Sequence, residues 1–503
     1  MSLLDKATII TTPTAHSDGV LHSIKGGSVA DFDVVRGSAA TRVNAEGLIE
    51  DVRILSGELV TNGDFANGST GWTLSSQFSI GTNNAIYDNS ASGTLIQNFN
   101  WQFGKKYKIT FDIGDFATNH RFDIYSGASF IRTSTIESKT SYTIYFNGDG
   151  GTILRFRGLT AGSFSVENIS VKEVTEDTDI PRIDYTDGTA SILLEPQTTN
   201  LITHSEDFSQ WTAGSDLALS NNFLAPDGTS TAYKVSRTGA ATPYLTENIG
   251  LTSTTTRSIY ARTISGTGTA TLLNHNSNTN NIFTLTEQWQ RFEINSTASS
   301  SGLTTFYAAD FRGSGTLTEY LIWGANATND QDYATSYIPT SGVIATRLAD
   351  SVTGAGDATT FNDSEGVLYA EIASLADTTS FEVVSLSDGS TSDIVGFVYR
   401  NTTNEFTAVV KSGGSTSMSK TITLADATDF MKVAISYKLN EFKFYVNGVL
   451  EFTDTLGNTP IGLNTLQLSD GNGTSNKFTG KVKSIITFDT ALTDAELECL
   501  TTI

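Results

Sequence analysis

The sequence predicts an all-β protein, a string of antiparallel β-sandwich (jelly-roll) domains, and three observations predict it. Thr, Ser, Gly and Asn crowd the chain while Leu-rich periodic stretches are scarce. That balance favours short strands joined by polar turns over long helices. Apolar residues make up 38% of 503 positions, enough for several small cores but not one large one. A chain of this length is expected to divide into about three or four domains. Only seven prolines and no sustained low-complexity tract argue against disorder.

Residues 1–57 read as an N-terminal arm. The first 30, including Thr11-Thr12-Pro13-Thr14 and Gly26-Gly27-Ser28, are polar and expected to order only on docking. Residues 58–175 and 201–349 open alike. Leu59-Val60-Thr61-Asn62-Gly63-Asp64-Phe65 leads to Gly71-Trp72, and Leu201 to Phe208 leads to Trp211. Lys106 to Asp112 and Arg257 to Arg262 alternate as half-buried strands, and Ser141 to Phe146 with Gln288 to Ile294 form another matching pair. These regions read as two diverged copies of one jelly-roll sandwich.

Two segments lack the long strand pattern: Phe32 to Glu50 (FDVVRGSAATRVNAEGLIE) and Ile180 to Asn200 (IPRIDYTDGTASILLEPQTTN). Together they resemble a recurring unit in structural proteins of tailed bacteriophages, in which ATRVN-x-x-GLIE precedes PRIDY and LLLEPQ-x-TNL after a short gap. Here residues 52–179 fill that gap, so the first sandwich reads as an insertion whose ends lie close together. Residues 176–200 are then the second half of the split unit. Ala345-Thr346-Arg347-Leu348 echoes Ala40-Thr41-Arg42-Val43 at the next junction.

In residues 350–503, Lys432 to Tyr437 and Glu441 to Val449 alternate as strands, and Asn447-Gly448 is a strong hairpin signal. Gly480 to Phe488 gives a last strand, and Thr493 before Asp494 and Glu496 suits a short helix start. This order resembles the concanavalin-A/laminin-G-like lectin sandwich, a likeness that implies fold and not ligand.

The formal charge is −23, from 54 acidic and 31 basic side chains. Such a surface repels phosphate backbones, which argues against nucleic acid as a partner. Cys499 is the single cysteine, so internal disulfides are excluded. The start, Met1 to Lys6, puts an acid where a secretory signal has its apolar run, and no window approaches a membrane span.

His16, His22, His120, His204 and His275 show no metal-ligand spacing, and no nucleophile elbow, phosphate loop or dinucleotide fingerprint occurs. Glycosidic cleavage needs two facing carboxyls, and Glu365 to Glu371 offers isolated acids instead. The chain therefore reads as a non-enzyme. Sugar binding needs aromatic faces with amides and carboxylates beside them. The candidates are Trp72, Trp101, Tyr107 and Tyr125. Trp72 and Trp211 hold matching positions, as expected of core residues, and Trp289 and Trp323 alternate with apolar neighbours. Trp101, in Phe99-Asn100-Trp101-Gln102-Phe103, is expected to be the exposed platform.

The opening of the first sandwich is similar to the N-G-x-F start of family-4 and family-22 carbohydrate-binding modules. That resemblance implies a structural calcium held by Asn62 and Asp64 with Glu167 or Asn168. Turn chemistry accounts for the Asp/Asn-rich stretches at Asp388 to Asp393 and Asp470 to Gly473. Taken together, the resemblances imply a phage virion surface protein (tail fibre, receptor-binding or head-fibre type), made in the host cytoplasm. It is expected to dock on other virion proteins through the N-terminal arm, to bind host-surface polysaccharide, and to form a homo-oligomer, a trimer for avidity. The competing readings are a purely decorating virion protein, a secreted adhesin and a tailspike-like glycan hydrolase.

Overall fold

A computed structural model of the chain describes residues 2–17, 19–115, 121–127, 129–135, 141–249, 254–274, 281–297, 305–329, 331–377 and 380–502. His120 and His275 lie outside them. The described chain is nearly all antiparallel strand. Its one α-helix among these residues, Asp494–Thr501, starts at a capping box in which Thr493 and Glu496 satisfy each other's backbone N–H groups.

The C-terminal sandwich pairs a five-stranded sheet (Ser415–Thr423, Glu405–Ser412, Ile394–Tyr399, Glu382–Ser387, Thr465–Gln467) with a much wider one. In the wider sheet the last strand, Gly480–Phe488, lies beside Glu365–Ser374, which continues to Met431–Lys438, Glu441–Val446 and Val449–Asp454. The hairpin between the last two turns at Asn447 and Gly448, both with positive φ as a two-residue turn demands. Phe397, Phe406, Ile435 and Phe444 fill the layer between the sheets.

The other edge of Gly480–Phe488 corrects the expectation of a flexible N-terminal arm. Ala7–Ser17 pairs with its second half, Ile10 opposite Ile486, and Ser191–Leu194 pairs with its first half, Ile192 opposite Val482. Composition misleads here because the polar residues are mostly threonines, which suit strands. Ile9 is fully buried, and Ile10 and Thr11 nearly so. The strand covers a long sheet edge that would otherwise stay unpaired.

The inserted sandwich consists of a five-stranded sheet (Ser129–Thr135, Arg121–Ser126, Ile153–Gly158, Gly93–Asn98, Thr73–Leu74) facing a six-stranded one built on Lys106–Gly114 and Phe164–Glu176. Its core is unusually aromatic: Phe111 stacks on Tyr142 at 4.8 Å, and Phe122, Phe156 and Phe164 pack around them. The two ends of the insertion are paired, Leu55 opposite Val174. The second sandwich holds Leu217–Phe223, Ala232–Arg237, Glu319–Asn329, Thr254–Arg262 and Gln290–Thr297 in one sheet, over Ile259, Phe306 and Ile322.

The two sandwiches share one device. Trp72 donates its indole N–H to the Asn62 carbonyl at 3.0 Å and touches Phe65; Trp211 donates to the His204 carbonyl at 2.9 Å and touches Phe208. Each ring thereby closes the opening loop of its own domain onto the core.

Between the sandwiches the two halves of the split unit lie side by side. Tyr185 N–H donates to the Val43 carbonyl, and Val43 N–H to the Asp184 carboxylate. The arginines and acids of the recurring segments meet in a sealed ionic joint. Arg182 bridges Glu195 and Asp350; Arg347 reaches Glu195 at 2.6 Å, and Arg36 reaches Asp350 at 3.0 Å. None of these five side chains is more than 2% exposed. Ser336 donates through N–H and hydroxyl to Glu195, and the Pro196 and Ile180 carbonyls take further guanidinium protons. Burial alone would raise the Glu195 carboxyl, but the Arg347 and Arg182 guanidiniums outweigh it and hold it at about 2.

Candidate functional site

The inserted sandwich docks with one sheet and presents the other. From its six-stranded sheet, Lys108, Thr143 and Tyr145 face a cleft of about 490 Å³ shared with Arg53, Asp227 and Trp323. There the Arg53 guanidinium lies 3.8 Å from the Tyr145 ring centre and pairs with Asp51 at 2.9 Å. The five-stranded sheet is therefore on the far side, turned away from this docking cleft.

Strand alternation decides what that outer sheet shows. In Ile153–Gly158, Leu154 and Phe156 point into the core, so Arg155 and Arg157 point out. In Arg121–Ser126, Phe122 and Ile124 are core, so Asp123 and Tyr125 point out; in Gly93–Asn98, Thr94 and Ile96 do. Register then aligns two cross-strand rows, Thr94–Arg157–Asp123 and Ile96–Arg155–Tyr125. Ile96 also faces Thr73 on the next strand.

These side chains form one cluster. Arg157 pairs with Asp123 and its Nε donates to the same carboxylate oxygen at 3.1 Å; Tyr125 hydroxyl donates to that oxygen at 3.2 Å. The Arg155 guanidinium carbon sits 4.3 Å from the Tyr125 ring centre, and that of Arg157 5.1 Å. Stacked guanidiniums keep their donors in the plane of the fork, where planar acceptors can meet them.

Of the four aromatic candidates, only Tyr125 lies on this face. Trp101 is fully buried, which overturns its expected role as an exposed platform. Its indole N–H donates to the Ile153 carbonyl at 2.8 Å, and its ring is walled by Phe99, Tyr107 and Phe146. The exposed ring of that loop is Phe103, at 86%. Tyr107 is core too, its hydroxyl oxygen accepting from Gln102 N–H, and Trp72 is closed onto Phe65. Asp123, Arg155 and Arg157 escaped sequence reasoning. Their signal was Arg-Phe-Arg alternation beside Asp-Ile-Tyr, legible only once the pairing of the two strands is known.

The four residues of the implied calcium site do come near one another, since Ile169 N–H donates to the Gly63 carbonyl. The side chains of Asn62 and Asn168 are turned to other partners. The Asn62 amide donates to the Gly68 and Thr70 carbonyls while its oxygen accepts from Asn67 N–H. Asp64 caps Ala66 N–H, and the Asn168 amide donates to Asp112. Among the described residues no group of three or more His, Cys, Asp or Glu side chains is arranged to hold a metal. The turn at Asp470 to Gly473 is held by its own backbone, and the Asn472 side chain caps Thr474.

Comparisons with known proteins add the fold of one domain. No curated protein sequence matches the chain. Among solved structures, the IT-sialidase CBM40 of Ruminococcus gnavus bound to α2,3-sialyllactose is similar at 17% identity and a TM-score of 0.26, over 30% of this chain and 92% of that one. The NanB sialidase of Streptococcus pneumoniae is similar at 13% identity and a TM-score of 0.25, over 30% and 28%. The binding domain of botulinum neurotoxin serotype D follows at 12% and 0.23, over 30% and 39%. Likenesses of this size concern the sandwich fold alone. Residues 354–498 match the model described as the concanavalin A-like lectin/glucanases superfamily, so the C-terminal sandwich is similar to that superfamily.

Proposed function

We propose that this chain is a glycan-binding protein displayed on the surface of a tailed bacteriophage particle, with the outer sheet of its inserted sandwich as the binding face. The observation that carries the sugar-binding part is the Tyr125–Arg155–Arg157–Asp123 cluster, on the sheet turned away from the docking cleft. The virion part rests on the split ATRVN/PRIDY/LEPQ unit, whose charged residues meet in the buried joint with Arg347 and Asp350.

The reading is one of binding without turnover. Glycosidic cleavage needs an acid and a base or nucleophile on either side of the bond, and Asp123 is committed to Arg157 and Tyr125. Docking on other virion proteins is assigned to a folded surface and not to a loose arm, because Ala7–Ser17 is built into a sheet. Trimerisation remains part of the proposal, since avidity would multiply weak contacts; light scattering on the full chain tests it.

The deciding experiment measures retention of the full chain on immobilised host-surface polysaccharide. Tyr125→Ala should lose retention with no release of reducing ends by either protein. Retention unchanged in Tyr125→Ala would remove this face from the proposal. Antibody labelling of intact particles tests the location.

A further inference from the structure

We infer that the outer sheet of the inserted sandwich takes a polyanionic polysaccharide, one carrying carboxylate or sulfate groups, and not a neutral one. The inference rests on the glycan-binding reading and deepens it. An aromatic residue on a sugar-binding face ordinarily offers its ring to the apolar side of a pyranose. Here guanidiniums lie against the Tyr125 ring, at 4.3 and 5.1 Å, so the chemistry displayed is that of the guanidinium.

The two arginines differ in a way that points to a missing acceptor. Arg157 has Asp123 as its partner. Arg155 has no carboxylate partner among the described residues and is left with its ring contact to Tyr125. A guanidinium offers five donors in a fixed fork and loses none of its charge at any ordinary pH. With Arg121 exposed at the start of the neighbouring strand, the two rows and Arg121 carry, among the described residues, three guanidiniums against the one carboxylate of Asp123. This local excess of positive charge stands out in a chain whose net charge is −23. A carboxylate or sulfate on a polymer can accept two N–H bonds from one fork, and such charge-assisted pairs are the strong hydrogen bonds. Threonines at Thr94 and Thr73 sit in the same rows, within the reach of sugar hydroxyls.

The long-range field of the acidic chain opposes a polyanion, but it is screened within about 8 Å at physiological salt. The contact is therefore decided by the groups on the face itself.

The test uses the full chain on four immobilised polymers: polygalacturonate, the same polymer with its carboxyls reduced to alcohols, dextran sulfate and dextran. Binding is expected to polygalacturonate, dextran sulfate or both, which separates carboxylate from sulfate recognition, and to neither neutral polymer. Arg155→Gln should weaken it at least tenfold. Arg155→Lys, which keeps the charge and loses the planar fork, should recover only part. Lys105→Gln, just before the Lys106–Gly114 strand of the opposite sheet and paired with Glu173, should leave binding unchanged and controls for bulk charge. Equal binding to the neutral polymers, lost in Tyr125→Ala, would overturn the anionic class and leave the glycan reading standing. Binding to none of the four would overturn both. Anion binding that Arg155→Gln and Arg155→Lys leave unmoved would overturn the assignment to this face.

Discussion

Two arginine clusters in this molecule do opposite things. In the joint, Arg36, Arg182 and Arg347 are sealed from water with Glu195 and Asp350, each bonded to a carboxylate and Arg36 and Arg347 also to a carbonyl, while one nitrogen of each arginine stays buried without an acceptor. On the outer sheet of the inserted sandwich, Arg157 keeps 37% of its side chain exposed and Arg155 has no carboxylate partner among the described residues. A buried guanidinium with two fixed partners has nothing left to offer a ligand. One stacked on a ring and short of an acceptor does. The joint contributes specificity more than stability, because burying ion pairs roughly cancels desolvation against attraction. Three chain segments far apart in sequence must all be in place before its charges are matched.

The largest expected effect comes from unmatching the joint. Glu195→Gln leaves Arg182 and Arg347 sharing what remains, and should lower stability by about 3–5 kcal/mol in denaturant titration of the full chain. A loss below about 1 kcal/mol would show that the joint is not a sealed network. Trp101→Ala should be of similar size, about 3–5 kcal/mol, because it empties a core site and frees a buried carbonyl.

A third buried carboxyl sharpens the comparison further. Glu382 is 6% exposed, yet no arginine among the described residues pairs with it; burial pushes its carboxyl up to about 7, partly opposed by hydrogen bonds from Thr479 and Ser374. Its folded value lies above the ordinary 4.5, so the folded state holds a proton that the unfolded chain has released. The contribution is complete below about pH 4.5 and lost as pH rises through about 7. Stability should fall across that window by at most roughly 3 kcal/mol. Glu382→Gln should flatten this part of the profile in melts from pH 4.5 to 8; an unchanged slope would assign it elsewhere. The smallest effect belongs to Phe103→Ala, within about 0.5 kcal/mol, as expected of an exposed ring.

Much of the fold was legible because strands, turns and caps are local. The Asn447-Gly448 hairpin and the Thr493 cap needed only neighbouring residues to declare themselves. The placement of Ala7–Ser17 was not legible, since its partner lies more than 460 positions away and only pairing reveals that its threonines are strand residues. The site was legible in one residue of four. Tyr125 stood out as an aromatic, but Arg155 acquires meaning only by facing it across two strands. Trp101 failed for the converse reason: an aromatic-rich loop reads as exposed until its rings are seen packed on one another, with Phe103 the one left outside.

The pairing of Ala7–Ser17 with Gly480–Phe488 also dictates an order of events during synthesis. A ribosome moving at about 5–20 residues per second takes roughly 20 to 90 s to travel between those strands. For that interval the early strand has no partner, and the two sandwiches between them can fold first. The wide sheet, with strands from both sides of that stretch, can close only after the two sandwiches between them have been made.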